Sequence, residues 1–255
     1  MRIFIKAVSG MPEAETEYTA WQGFQELGFK PIFFESESEL RDIRPDDLIV
    51  GGISIIKRKM QEWGVALSEY DYPPELADFL GRRIWTDTLG AILSDPGKWP
   101  IFVKPIRNKA FVGFLLERER DVPRLRQSKE DEPVLCSEPV EFVAEWRAFV
   151  RYGRVVDVRG YRGDWRYHYD SEVVERAVGA FSSAPAGYAM DFGLTSDGRT
   201  LIVEINDGFG LGCYGLDPVE YAKLLSARWC ELVGIHDECD VYHEGIDWKK
   251  ASRNR

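Results

Sequence analysis

Cysteine is scarce in this chain: 255 residues carry four, at positions 136, 213, 230 and 239. So few and so scattered, they cannot form a disulfide framework, and a chain of this length buries enough apolar surface to do without one. A reducing, cytoplasmic compartment is the expectation. An excess of basic charge is also missing. Lys and Arg number 33 against 43 Asp and Glu, a formal net charge of −10. That excludes the broad basic surface needed for bulk binding to nucleic acid or an anionic membrane, though a local basic cleft remains compatible. No stretch approaches the about 20 consecutive apolar residues of a membrane span. The opening MRIFIKAVSG has an apolar run of only Ile3–Ile5, which reads as a strand and not as a signal peptide. Internal repeats and low-complexity tracts are absent.

What is present has the balance of a soluble globular protein, with 44% apolar and 30% charged residues. The length fits one large domain or two closely packed ones. Strands at Arg2–Val8, Phe29–Phe34 and Asp47–Val50 alternate with helices at Glu15–Leu27 and Ile55–Trp63. In the first helix, Tyr18, Trp21, Phe24 and Leu27 recur at helical spacing. Residues 1–75 are therefore expected to form a small α/β unit, closed by the Tyr-Asp-Tyr-Pro-Pro turn. Residues 76–97 read as a helical linker, with helices at Glu75–Phe79 and Thr86–Leu93. From 98 to 255 strands follow in close succession: Pro100–Lys104, Val112–Glu117, Val134–Cys136, Glu141–Arg151 and Arg154–Tyr161. After a helix at Glu172–Phe181, a hairpin joins Tyr188–Leu194 to Thr200–Asn206. A closing helix spans Asp217–Val233. The second half is thus α+β on antiparallel strands.

Three segments carry chemistry. In YAMDFGLTSDGRTLIVEINDGFGLG, Glu204 and Asn206 share a strand face by period-2 alternation, and Asp191 on the other hairpin arm can sit opposite them. A few hard oxygen ligands of this kind suit Mg²⁺, which keeps waters and completes its shell with phosphate oxygens. A solvated strand face would show the same alternation. In WPIFVKPIRNK, Lys104 ends an apolar strand and presents one ammonium where phosphates could reach it, with Arg107 and Lys109 following; a strand-edge charge that blocks aggregation is the other reading. In VLCSEPVEFVAEWRAFV, an acid-and-proline turn interrupts a strand, exposing backbone groups able to read an adenine edge. Glu145 on the next strand could take ribose hydroxyls.

In this order, the segments resemble the ATP-grasp superfamily of carboxylate–amine ligases, and in their compactness a bacterial and phage clade of it. The family pattern is a strand ending in Lys, a hinge carrying three spaced Glu residues, then D-x(12)-E-x-N. The corresponding residues are Lys104, then Glu138, Glu141 and Glu145, then Asp191, Glu204 and Asn206. The resemblance implies an ATP-grasp fold over roughly 98–233, preceded by the usual α/β pre-domain. It implies ATP and Mg²⁺ as cofactors, with Lys104 and Lys109 on phosphates. Glu138 and Glu141 would frame adenine, partly through the Val140 backbone; Glu145 would hold ribose; Asp191, Glu204 and Asn206 would hold the metal. The implied reaction makes an acyl phosphate from a small-molecule or peptide carboxylate and joins it to an amine or other nucleophile, releasing ADP and phosphate. A small-molecule kinase and a non-catalytic ATP-binding module are the alternatives, and a homodimer is allowed for.

The chain departs from the family in three places. Ala189 stands where an Arg often precedes the metal Asp, so Arg147 and Arg159 become the candidate catalytic cations, with Arg162 behind them. The N-x-x-P-G exit is replaced by Asn206-Asp207-Gly208-Phe209-Gly210. The long Gly-rich phosphate loop after the first Lys is missing. Other features carry less. Gly51-Gly52 lacks the rest of a phosphate fingerprint and reads as a tight turn. Cys230, His236, Cys239 and His243 fit no common zinc spacing. Cys136 has no apparent His partner for a nucleophile role.

Overall fold

The computed structural model describes residues 1–68, 70–106, 111–125, 129 and 131–240. Its first lobe comprises β1 (Ile3–Val8), β2 (Met11–Pro12), α1 (Glu15–Glu26), β3 (Ile32–Phe34), β4 (Leu48–Val50) and α2 (Ile53–Glu62). β1 is central: β3 and β4 both pair with it in parallel, while β2 folds back antiparallel. The strand-and-helix alternation read from the sequence is present here, although β3 begins at Ile32 and α2 begins at Ile53.

The next stretch differs from the expected helical linker. Pro74–Phe79 forms a tight 3-10 turn, and Ile84–Thr88 is a strand, β5, followed by the short helix α3 (Leu89–Leu93). Trp85, Thr86 and Thr88 are strand-favouring residues, and β5 runs in register against β8 (Pro133–Ser137), from Ile84 opposite Ser137 to Thr88 opposite Pro133. The helix starts only where the Thr88 hydroxyl accepts from the Ala91 N–H at 3.3 Å. With β6 (Ile101–Pro105) and β7 (Phe114–Leu116), these strands make an antiparallel sheet ordered β5-β8-β6-β7. Leu89, Ile92, Ile101, Val103, Leu116 and Val134 form its core.

The third sheet is ordered β10-β9-β11-β12, from β9 (Phe142–Arg151), β10 (Arg154–Arg162), β11 (Gly187–Thr195) and β12 (Thr200–Asp207). The helix α4 (Ser171–Ala180) covers one face, where Ala148, Val150, Tyr188, Met190 and Phe192 are buried. The opposite face presents Arg147, Phe149, Ala189 and Asp191, as alternation requires. Phe149 and Ala189 enter a core shared with Ile5, Phe24, Phe34 and Leu48 of the first lobe and with Leu224 and Trp229 of α5 (Pro218–Val233). The first lobe thus shares its hydrophobic core with the last sheet. Gly23 allows the contact between α1 and α5, since a Cβ there would fall 1.8 Å from the Pro218 carbonyl oxygen. As the sequence indicates, the Asp217 carboxylate caps α5 by accepting from Val219 and Glu220, and Gly234 ends it at φ +70°.

All four cysteines are free and buried. Burial pushes the thiols of Cys136 and Cys239 up to about 11 and that of Cys230 up to about 12. Iodoacetamide at neutral pH is therefore expected to leave these three unmodified in the folded protein and to alkylate them after urea denaturation, as read by mass spectrometry. His236 is exposed while Cys230 and Cys239 lie inside, and His243 lies outside the described residues. Among the described residues, no group of three or more His, Cys, Asp or Glu side chains could hold a metal, and no helix is long and apolar enough to cross a membrane.

Candidate active site between two sheets

The site begins on the face of the third sheet away from α4. Asp191 on β11 lies opposite Arg147 on β9 and opposite Glu204 on β12; Arg159 on β10 lies opposite Arg147. A single row across four strands thus carries Arg159, Arg147, Asp191 and Glu204. Strict alternation would put Ile202 and Glu204 on the same face. The pairing slips by one residue between Asp191–Glu204 and Phe192–Ile202, so Val203 is an extra residue, and this bulge turns Ile202 into the core while Glu204 faces the site. Asn206, two residues further on, joins the group. Its Nδ2 donates to Asp191 Oδ2 at 3.2 Å and to Glu204 Oε1 at 3.3 Å. The three side chains in the D-x(12)-E-x-N pattern therefore meet around one point.

Arg147 holds Asp191 with a two-pronged fork, Nε to Oδ1 and Nη2 to Oδ2, both at 2.7 Å. Asp191 is 1% exposed. Burial, with Glu204 and Glu145 adding like charge, pushes its carboxyl up, and the Arg147 fork pulls the other way. The guanidinium also lies over the Tyr214 ring at 4.6 Å, and Tyr214 stacks on Tyr161 at 5.0 Å. Tyr161 in turn donates to Glu145 at 2.8 Å, and the other Glu145 oxygen accepts from Arg162.

A cavity of about 270 Å³ lies between the third sheet and the β5–β8 sheet. Lys104, Glu138, Val140, Glu145 and Glu204 line it, with Phe102 and Phe142 as apolar walls. Lys104 reaches in from the end of β6, its Nζ 2.5 Å from Asp71 Oδ1 and 5.0 Å from the Tyr72 ring centre. Burial pulls its ammonium down, but Tyr72 and Asp71 outweigh that and hold it above the ordinary lysine value. At the hinge, Glu138 accepts from the Arg83 N–H at 2.9 Å. Arg82 pins the hinge to β12, donating to Ser137 Oγ and to the Ile202 and Val203 carbonyls.

The structure therefore brings Lys104, Glu138, Val140, Glu145 and Glu204 to one cavity, and Asp191, Asn206 and Arg147 to its Glu204 end. Glu141 is exposed and is not among the residues lining the cavity. Arg159 shares the face of Arg147, yet its guanidinium is paired with Asp157 at 2.6 Å and is half exposed. Lys109 and Arg107 lie outside the described residues. Tyr72, Asp71, Arg82, Tyr161 and Tyr214 escape a reading by motif. The first three come from a segment that looks like a connection, and the last two act through ring contacts that no spacing encodes.

A family model for the ATP-grasp domain, R2K clade family 2, matches residues 79–224. The chain belongs to the R2K clade of the ATP-grasp family. The match starts at Phe79, before β5, and takes in both sheets that enclose the cavity, so β5 lies within the matched residues. No curated protein matches the chain. Among solved structures, D-alanine–D-alanine ligase from Bacillus anthracis with ATP is similar at 13% identity and a TM-score of 0.55, over 91% of this chain and 96% of that one. The ATP-grasp ligase PsnB with a minimal precursor, Mg and ADP is similar at 13% identity and 0.51, over 89% and 96%. Macrocyclase MdnC from Microcystis aeruginosa, bound with precursor peptide MdnA, is similar at 13% and 0.51, over 88% and 98%. At this identity the likeness concerns the ATP-grasp fold.

Proposed function

We propose that this ATP-grasp chain is an ATP-dependent ligase that activates a carboxylate as its acyl phosphate and joins it to an amine. The carrying observation is the cavity between the two sheets, with Lys104 and Glu204 both on its wall and Asp191 and Asn206 converging beside it. Adenine would lie against the hinge at Glu138–Val140, between Phe102 and Phe142. Glu145, already engaged by Tyr161 and Arg162, would take ribose hydroxyls. Lys104 would meet the phosphates as a point charge.

Asp191, Glu204 and Asn206 would hold a divalent cation through their hard side-chain oxygens, and the Asn206 hydrogen bonds to both carboxylates put the three side chains within reach of one another. Such a cation, when bound, would neutralise charge on the transferring phosphoryl group. Arg147 does the rest from the sheet. Its fork fixes Asp191 beside Glu204 and Asn206, its third nitrogen bonds the Gly212 carbonyl, and the fixed guanidinium charge would stabilise negative charge that grows nearby in the transition state. The carboxylate oxygen takes the γ-phosphoryl group and ADP leaves. The amine nitrogen then attacks the acyl carbon, loses a proton to solvent, and phosphate departs. The acid would be a small molecule or a peptide, with Arg147, and Arg159 or Arg162 beside it, as its anion contacts. A cytoplasmic location and a homodimer fit this reading.

Lys104→Ala should weaken both ADP and ATP by about tenfold or more, because it removes a charge-assisted phosphate contact worth roughly 1.5–3 kcal/mol. Titration calorimetry reads this directly, and wild-type affinity in the variant would refute the assignment. The reaction class is tested by supplying hydroxylamine as the amine across a panel of carboxylic acids. A ligase yields hydroxamate in step with ADP; ADP formed with a stable phosphorylated product and no hydroxamate would identify a kinase.

A further inference from the structure

A second cavity, of about 380 Å³, opens between the first lobe and the Gly-rich exit of β12. Val50, Ile53, Ile56, Leu211 and Leu225 give it apolar walls. Gly212 also lines it, and the Gly212 carbonyl accepts from Arg147 Nη1 at 3.4 Å. A Cβ on Gly212 would stand 3.8 Å from Arg147 Nη1 and 4.0 Å from Thr16 Oγ1, so this wall of the cavity reaches the Arg147 guanidinium.

One carboxylate sits in this apolar setting. Glu17, in the first turn of α1, lines the cavity and is 8% exposed. Burial pushes its carboxyl up and Glu13 adds like charge, while the backbone N–H groups of Glu17 and Ala14 and the charge of Lys6 offset this in part. The Lys6 ammonium is spent on the Glu35 carbonyl at 2.7 Å. No basic side chain is among the described lining residues. A buried carboxylate facing an apolar cavity with no basic side chain on its walls is costly, and a ligand that brings a cation into contact recovers part of that cost. Gly51, at φ +87°, keeps the approach clear, since a Cβ there would fall 2.7 Å from Glu17 Oε1.

We propose that this cavity binds the amine-bearing substrate as a primary ammonium on an apolar stem, the ammonium at Glu17 and the stem against Val50, Ile53, Ile56 and Leu225. Calling the ligand a substrate rests on the ligase reading above; the binding chemistry does not. The test uses the full chain with Mg²⁺ and ADP, titrated with 3-methylbutylamine and with 3-methylbutanol, which has the same stem and no charge, followed by ligand-observed NMR. The amine should bind at least about tenfold more tightly than the alcohol, and Glu17→Gln should remove that preference. Ile53→Trp, at a position 38% exposed and so tolerant of a larger ring, should fill the cavity and abolish amine binding. Both variants should keep wild-type ADP affinity. Equal binding of amine and alcohol, no binding of either, or amine binding indifferent to both substitutions would overturn the proposal. Failure of the wild-type chain to bind ADP would instead sink the ligase reading and leave the amine result standing.

Discussion

Replacing Glu204 with Gln is expected to lower Mg²⁺-dependent ADP release by about a hundredfold or more, while the protein keeps its fold. Gln preserves the size of the side chain and can still meet Asn206, which now lies 3.3 Å from Glu204 Oε1. What it removes is one of the two negative charges that converge there. Glu204 is the cleaner position to test, because Asp191 has a second task as the anchor of Arg147. The magnesium concentration for half-maximal activity should rise in the variant, and circular dichroism should superpose with wild type. A variant that keeps its turnover and its magnesium dependence would place the metal elsewhere.

The second large effect is at Arg147. Its partner Asp191 is 1% exposed, and the two bonds between them are both 2.7 Å. Truncation to Ala leaves a buried carboxylate without its cation, a loss of roughly 3–5 kcal/mol in such pairs, to be read by urea denaturation. The pH dependence has a definite sign. Burial already raises the Asp191 carboxyl in the folded protein, and removing Arg147 raises it further. The folded state then binds more protons than the unfolded one, so stability falls as pH rises from the unfolded carboxyl value through the raised folded one. The deficit of Arg147→Ala should therefore be full at neutral pH and shrink in acid. Arg147→Lys keeps the charge and most of the stability but cannot reproduce the fork, so turnover should drop by about a hundredfold with ADP affinity unchanged. Turnover unchanged in the Lys variant would move the anion contact to Arg159 or Arg162.

Much of this architecture is legible in the sequence because it is local. Alternation and turn residues place the Tyr188–Asn206 hairpin, and the spacing of Asp191, Glu204 and Asn206 is enough to bring them together. The Arg147–Asp191 pair is less legible, since it depends on how β9 lies against β11, two strands separated by β10 and α4. The bulge at Val203 is invisible to a period-2 reading, which would set Ile202 and Glu204 side by side. Thr86–Thr88 reads as helix because Thr-Asp-Thr runs straight into the helical Leu89–Leu93, and only the pairing of Ile84–Thr88 with β8 makes it part of a strand. The shared core of the first lobe with α5 hides for the same reason: Phe24 and Trp229 each look like the apolar face of a local helix until tertiary contact joins them.

The central claim is the acyl phosphate, and a heavy-oxygen label tests it most directly. With the acid found by the hydroxylamine panel labelled in both carboxylate oxygens, turnover with an amine should deliver one labelled oxygen into the released phosphate, seen by mass spectrometry or by the phosphorus NMR shift. The account predicts one labelled oxygen per phosphate and a drop in label release together with turnover in Glu204→Gln. Phosphate released without label, while the amide forms at the same rate, would contradict it.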